Sequence, residues 1–291
     1  MIKIAKYLLT EAEAVALSAA LEREDALSAL PAGIAETADG WQFTLYLSGA
    51  DDAAEIAALT RIAADVLPAG AGKPGIETVP DTDWVAKSLE GLPPVRAARF
   101  IVYGSHDRGK RLPNEIAIEI EAAEAFGTGH HGTTAGCLVA IDRLARTRPI
   151  RSALDVGTGS GVLAIAIAKA TKARVLASDI DPVATRVAKE NVALNGVAAN
   201  VTLVTAGDLK GGIFRGAGPF DLIVANILAG PLIGLAPSIS RHLAPGGTVI
   251  LSGLIPDQRP RIVAAYRGRG LRLVRGTILN DWLTLTFERG R

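Results

Sequence analysis

Cysteine occurs once, at Cys137. A single thiol cannot build a disulfide framework or a cysteine-rich zinc site. The four histidines are scattered apart from the pair His130-His131, so no metal-binding set is expected. Aromatic residues make up only 4%, which leaves Ala, Val, Leu and Ile to fill the core. Long apolar runs are missing as well. Residues 162–168 form one of the longest, far short of the roughly 18 needed to cross a bilayer. At the start, Met1-Ile2-Lys3-Ile4-Ala5-Lys6 reaches Glu11 and Glu13 too soon for the apolar region of a signal peptide. A reducing, cytoplasmic compartment with no membrane partner is therefore expected. Internal repeats and low-complexity tracts are absent too.

What is present is enough chain for two domains, since 291 residues at roughly 150 per domain can bury a sizeable core. Hydrophobic residues at 49% and charged residues at 21% exclude intrinsic disorder. Thirty-one glycines without a collagen-like period point to tight turns and close backbone approaches. The net charge of +1 hides a division. Residues 1–80 hold five Lys/Arg against twelve Asp/Glu, a net of −7, and residues 81–291 carry a net of +8. An acidic first segment repels phosphate backbones and would suit a basic protein partner, and no direct nucleic-acid binding is expected of the protein. Acidity also simply favours solubility.

The first 80 residues read as strand, helix, strand, strand, helix, strand. Residues 2–9 are a short apolar run, and 11–24 place apolar residues at helical spacing. Residues 33–47 look like a hairpin turning at Asp39-Gly40, and 51–67 like a second helix opened by Asp51-Asp52. Residues 76–79 would close the sheet. That order matches the split βαβ, ferredoxin-like pattern. Trp41 and Phe43 share one strand face, an arrangement that RNA-binding modules also use, but the net of −7 favours reading them as core. Residues 68–84 hold Pro68, Gly70, Gly72, Pro74, Gly75 and Pro80 and mark a boundary. From about Arg96 strands and helices alternate. Strands are expected at 117–120, 153–156, 174–178, 201–204, 221–225 and 249–251, and helices at 133–145, 162–170 and 182–194. Such alternation implies a parallel sheet covered on both faces. Two extended runs, 271–279 and 282–288, joined at Asn280-Asp281, imply an antiparallel edge.

The sharpest local feature is Leu154-Asp155-Val156-Gly157-Thr158-Gly159-Ser160-Gly161, directly after a strand and before an apolar helix. Such a turn can be purely structural, but its context favours a ligand. The next strand ends at Ser178-Asp179-Ile180-Asp181-Pro182, with Asp179 at about the distance expected of an acid that grips ribose hydroxyls. Asp181 reads as the cap of the following helix, with Pro182 in its first turn and Gly196 at its end. No Lys lies in the loop, which excludes a phosphate-binding P-loop. The spacing Gly157-x-Gly159-x-Gly161 behind Asp155 also differs from the G-x-G-x-x-G of dehydrogenases. The arrangement D-x-G-x-G-x-G resembles the first motif of the Rossmann-like S-adenosylmethionine-dependent methyltransferases. In that class the acid serves the methionine ammonium end of the cofactor. The run 243–249 (Leu-Ala-Pro-Gly-Gly-Thr-Val) resembles the segment before their fifth strand.

Two further stretches narrow the class. Residues 220–229 end a buried strand with Asn226 at its carboxyl end, where open α/β sheets bind ligands, although an Asn can also cap a helix. Ala125-Phe126-Gly127-Thr128-Gly129-His130-His131-Gly132-Thr133-Thr134 reads as a capped turn or as a lid. His130 and His131 could accept a proton, but loop or capping roles suit them better. Taken in order, Phe-Gly-Thr-Gly-x-His-x-Thr-Thr, D-x-G-x-G-S-G, D-x-D-P and Asn-Ile-Leu-Ala-Gly-Pro-Leu are similar to the ribosomal protein L11 methyltransferase family (PrmA-like). The likeness is strong over residues 81–291 and weaker over the first 80. It implies a protein methyltransferase acting on amines of a basic large-subunit ribosomal protein, with S-adenosylmethionine as cofactor. The implied architecture is a mostly parallel seven-stranded α/β sheet over 96–291, a linker over 81–95 and a substrate-recognition domain over 1–80. By motif position the cofactor contacts fall on Thr134, Gly157, Asp179 and Asn226, with Phe126 and Thr128 in the covering loop. Asp155 and Gly159 join them through the glycine motif, and Asn226 would aim the amine. The chain departs from the family at Glu121-Ala122-Ala123, where Asp-Pro-Gly is usual, and at Gly132, where Pro is usual. A Lys methyltransferase acting on another protein, or an acidic binding module on a nucleoside-binding fold, are the alternatives. An adenine-amino methyltransferase would need Pro-Pro-aromatic after the Asn, and Ile227-Leu228-Ala229 does not supply it.

Overall fold

The computed structural model describes residues 2–21, 24, 27, 30, 32–37, 40–49, 51–68, 72–79, 94–110, 112–120 and 131–290. Two compact units divide the chain, Met1–Trp84 and Val85–Arg291.

In the first unit the elements are β1 (Ile2–Leu9), α1 (Glu11–Leu21), β2 (Ala32–Thr37), β3 (Gly40–Tyr46), α2 (Asp52–Val66) and β4 (Gly75–Val79). The sheet order is β2-β3-β1-β4, with every neighbouring pair antiparallel. Residues spaced by two share a strand face. Ala5 and Tyr7 of β1 accordingly join Phe43 and Leu45 of β3 in one core with Leu17, Leu21, Leu59 and Ile62 of the helices. Phe43 is fully buried and Trp41 half-buried. Asp51 caps α2 by accepting from Ala54 N at 3.2 Å, and the turn residue Asp39 lies outside the described residues.

The second unit opens with β5 (Val95–Ala97), β6 (Phe100–Tyr103) and β7 (Ile116–Glu119), a small sheet in the order β5-β6-β7. Sequence patterning anticipates only β7. Then follow α3 (His131–Thr147), β8 (Ser152–Val156), α4 (Val162–Thr171), β9 (Arg174–Asp179), α5 (Pro182–Leu194), β10 (Val201–Thr205), α6 (Gly212–Ala217) and β11 (Phe220–Asn226). After these come α7 (Ala229–His242), β12 (Leu243–Leu254), α8 (Arg259–Arg267), β13 (Leu271–Leu279) and β14 (Trp282–Arg289). The large sheet has seven strands in the order β10-β9-β8-β11-β12-β14-β13. Pairing is parallel from β10 to β12, whereas β14 runs antiparallel to both of its neighbours. The terminal hairpin is thus inserted so that β13, not β14, forms the edge.

Burial on both faces explains the unbroken apolar strands. Along β11, Leu222 and Val224 point into one core cluster while Ile223 and Ala225 point into the other. Helices α3, α4 and α5 cover the first face and α6, α7 and α8 the second. Residues Val162 to Ala168 of α4 are all buried, and alternating Ala with branched side chains gives a tight fit without aromatics. The chain builds outward from β8 through β9 to β10, then crosses back to β11 on the other side of β8. A crevice forms at such a switch point, beyond the carboxyl ends of the strands.

Candidate active site

The loop after β8 is shaped by its glycines. Gly157, Gly159 and Gly161 have φ of +70°, +52° and +84°, a left-handed region that side-chain-bearing residues adopt at a cost. A Cβ on Gly157 would stand 2.3 Å from Ile227 Cγ2. Gly157 N and Thr158 N both donate to Ser178 O, at 2.8 and 2.9 Å, which fastens the loop to β9. The turn then delivers α4 with its first residues facing the crevice.

Three aspartates surround this loop in different states. Asp155 is fully buried beneath it. Its Oδ2 accepts from Thr158 Oγ1 at 2.7 Å and from Ala164 N at 3.0 Å, whereas its Oδ1 is buried with no partner among the described residues. Burial pushes the carboxyl up to about 7, the two hydrogen bonds pull it down, and the nearby Asp179 charge raises it further. Asp179 ends β9 half-exposed, with Oδ2 accepting from Gly159 N at 2.8 Å and Oδ1 from Asp181 N at 3.1 Å. The carboxylate is thereby held against the loop it is expected to serve. Asp181 caps α5, accepting from Val183 N at 2.8 Å. Asp181 is the helix cap anticipated from the sequence, and Asp179 lies against the glycine loop.

Across the loop, Asn226 closes β11 and donates from Nδ2 to Thr133 Oγ1 at 3.1 Å. Ser252 Oγ reaches Thr133 O at 3.2 Å and Thr284 Oγ1 at 3.0 Å, so α3, β12 and β14 are bound together behind Asn226. Bare positions on α3 make this possible. A Cβ on Gly136 would lie 2.2 Å from Thr284 Oγ1, and one on Gly132 would lie 2.7 Å from Leu279 O and 2.8 Å from Trp282 Cδ1. Glycine at 132 therefore has a packing reason: the first turn of α3 rests directly on the β13–β14 connection. Cys137, on the same helix, is a buried free thiol, and burial pushes it up to about 12.

A cleft of about 260 Å³ results. Thr134, Gly157, Gly159 and Asn226 line it together, with Asp155 below and Asp179 joined through Gly159. Phe126 and Thr128 lie outside the described residues, as does the segment Glu121-Ala122-Ala123. Thr133, Thr158, Leu228 and Trp282 also line the cleft, although sequence reading did not single them out. Trp282 arrives because β14 is antiparallel, so its first residue meets the end where the parallel strands finish. Among the described residues no group of three or more His, Cys, Asp or Glu could hold a metal ion.

The family model for "Ribosomal protein L11 methyltransferase (PrmA)" matches residues 4–290. The chain belongs to the ribosomal protein L11 methyltransferase family. Members of the family from Rhizobium leguminosarum bv. trifolii (strain WSM2304) and Rhizobium meliloti (strain 1021), both named ribosomal protein L11 methyltransferase, are 55% and 48% identical to it. The first match spans 88% of this chain and 87% of that protein, and the second 96% and 97%. The crystal structure of a ribosomal protein L11 methylase from Lactobacillus delbrueckii subsp. bulgaricus superimposes with a TM-score of 0.60 at 31% identity, over 69% of this chain and 99% of that one. The family and the seven-stranded, mostly parallel sheet agree with the expectation from the motifs.

Proposed function

We propose that the chain is an S-adenosylmethionine-dependent protein methyltransferase that modifies amino groups of ribosomal protein L11, on Lys side chains, the N-terminal amine or both. The observation that carries this reading is one juxtaposition. Two left-handed glycines of a D-x-G-x-G-x-G turn, Gly157 and Gly159, line a single cleft with Asn226, and Asp179 is fixed on the Gly159 N–H. The residues suit the cofactor: side-chain-free backbone at 157 and 159, the Asp179 carboxylate held beside Gly159 for sugar hydroxyls, and the buried acid Asp155, whose Oδ1 lacks a partner among the described residues. When bound, S-adenosylmethionine supplies a methyl group already activated by its sulfonium.

The protein's own work is then alignment and keeping the amine uncharged. With Nδ2 given to Thr133, Asn226 keeps Oδ1 to accept an amine hydrogen and aim the nitrogen lone pair. An α-amine, near pKa 8, is partly neutral at pH 7, whereas a Lys, near 10.4, has to lose solvent first. Trp282 and Leu228 at the cleft supply apolar surface for that. Family position assigns Phe126 and Thr128 to the cover over the cofactor.

Residues 1–80 form the substrate-recognition domain in this reading, 81–95 the linker and 96–291 the catalytic domain. The βαββαβ element order and the β2-β3-β1-β4 sheet support a ferredoxin-like first domain, and its net of −7 supports a basic protein partner. A cytoplasmic location fits the buried free thiol of Cys137. Among the described residues no helix is long and apolar enough to cross a membrane.

Transfer of a tritiated methyl from the cofactor tests the proposal. Label should enter the ribosomal protein and not nucleic acid, and deletion of residues 1–80 should abolish labelling while cofactor binding persists. Label in nucleic acid, or full turnover by the truncated chain on intact substrate, would refute the corresponding part.

A further inference from the structure

Apart from the cleft, we infer that the opposite edge of the large sheet, where the parallel strands begin, binds the phosphate backbone of RNA. Arg151 immediately precedes β8, Arg174 opens β9, Arg241 lies one residue from the end of α7, and Arg267 and Arg269 lead into β13. All five are exposed, and among the described residues none is ion-paired with a carboxylate. Two acids lie among these strands, Glu288, which pairs with Arg272 at 2.9 Å, and Asp221, whose Oδ2 accepts from Arg151 N and Ser152 N and whose single charge is outnumbered by the arginines around it. Two more arginines turn inward onto carbonyls and add charge that no carboxylate cancels. Arg148 donates to Gly246 O at 2.6 Å, and Arg289 to Leu243 O at 2.7 Å.

Cations gather at helix C-termini to meet the helix dipole, which accounts for Arg241 and Arg267. It does not account for Arg151 and Arg174, which precede or open strands. Between them these arginines border β9, β8, β12 and β13, a row about 24 Å long at roughly 4.8 Å per strand. A nucleic-acid duplex sets one charge per about 1.7 Å of its axis, so such a row meets many phosphates. Continuing it, Arg215 and His242 line a cleft of about 500 Å³ beside Arg241.

RNA is favoured over other polyanions for two reasons. The cations are mainly guanidinium groups, whose planar fork takes two phosphate oxygens at once. The run Arg267-Gly268-Arg269-Gly270 is exposed, and Gly268 leaves the backbone between the two charges bare. A membrane surface would call for apolar side chains entering lipid beside the charges, and Leu271, next in sequence, is buried. The inference rests on charge and position and does not require the methyl-transfer reading. It concerns the second unit, whereas the acidity that argues against phosphate contact belongs to residues 1–80.

The test is fluorescence anisotropy of a labelled RNA hairpin titrated with the full chain, without cofactor, over a range of salt concentrations. Binding should weaken with salt at a slope of about 0.7 to 0.9 per phosphate contact in log–log form. The triple variant Arg174→Gln, Arg267→Gln, Arg269→Gln should bind at least tenfold more weakly, with the slope reduced by about 2 to 3, and keep its methyl-transfer activity. A variant of equal charge loss elsewhere, Lys3→Gln, Arg61→Gln, Arg186→Gln, should bind as the parent does. Absent RNA binding, equal weakening by both variants, or equal binding to phosphatidylserine vesicles or polyglutamate would each overturn the inference.

Discussion

The two edges of the seven-stranded sheet are built from the same elements and differ in chemistry. Where the parallel strands end, the loops carry Gly157, Gly159, Asp179, Asp181, Asp208 and Asn226. Where they begin, the flanking residues include Arg151, Arg174, Arg241 and Arg267. Chain direction creates the difference. In a parallel sheet with helical crossovers, every helix starts at the first edge and finishes at the second, so helix dipoles favour acids at one and bases at the other. On that background the first edge adds what a cationic, sugar-bearing ligand needs, namely bare main chain and a fixed carboxylate. The second adds arginines that no helix end requires. A fold-level sorting of charge has been extended in opposite directions.

The most severe way to break this contrast acts on the first edge. Gly157→Ala places a methyl group against Ile227 and imposes a left-handed φ, which alone costs about 1–2 kcal/mol. Calorimetry should show cofactor affinity falling by about a hundredfold or more. Adding Ile227→Ala should recover the steric part only; recovery of nothing would mean that the close packing of Ile227 is not what shapes the loop.

Burial of an acid makes the next prediction. Asp155 holds a proton up to about pH 7 in the folded state, whereas the unfolded chain releases it near pH 4. Between those limits the native state binds more protons, so stability falls as pH rises. At roughly 1.4 kcal/mol per unit the cumulative loss is of the order of 2–4 kcal/mol, and Asp155→Asn should remove it. Urea unfolding from pH 4 to 8 should show the variant gaining on the parent as pH increases. Parallel curves would mean that Asp155 ionises freely beneath the loop.

At the second edge, the inward-turned Arg148 gives a readout in stability. Arg148→Ala strips hydrogen bonds from Gly246 O, Asp221 O and Thr248 Oγ1, and charged hydrogen bonds of this kind contribute about 1.5–3 kcal/mol. Unfolding should become that much easier with cofactor affinity unchanged, and a parallel loss of affinity would show that the edges are coupled.

Much of the first edge was legible because its signals are local. Glycine spacing, the acid after the next strand and the Asn at a strand end each lie within a few residues of the element that positions them. The remainder depends on contacts between distant segments. Trp282 reaches the cleft only because β14 is inserted beside β12, and Gly132 is explained by Leu279 and Trp282, nearly 150 positions away. The β5–β6 turn passes through Ala98 at φ +52° without glycine or asparagine, so no turn signal marks it. The arginines of the second edge are spread from 151 to 269, and only the strand order aligns them.

The smallest and most discriminating comparison lies within the first edge, between two aspartates separated by one residue. Asp181 accepts from Val183 N as a helix cap, a role whose loss costs about 1 kcal/mol of stability. Asp179 accepts from Gly159 N through Oδ2 and from Asp181 N through Oδ1, which fixes its carboxylate against the glycine loop. Asp179→Ala should therefore weaken S-adenosylmethionine at least about tenfold, roughly 1.4 kcal/mol, with a small change in melting temperature. Asp181→Ala should lower the melting temperature and leave the affinity where it was. The crossed pattern matters more than either value. If both variants lost affinity together, the start of α5 as a whole would hold the ligand, and a carboxylate fixed on the glycine loop would no longer be needed to explain binding.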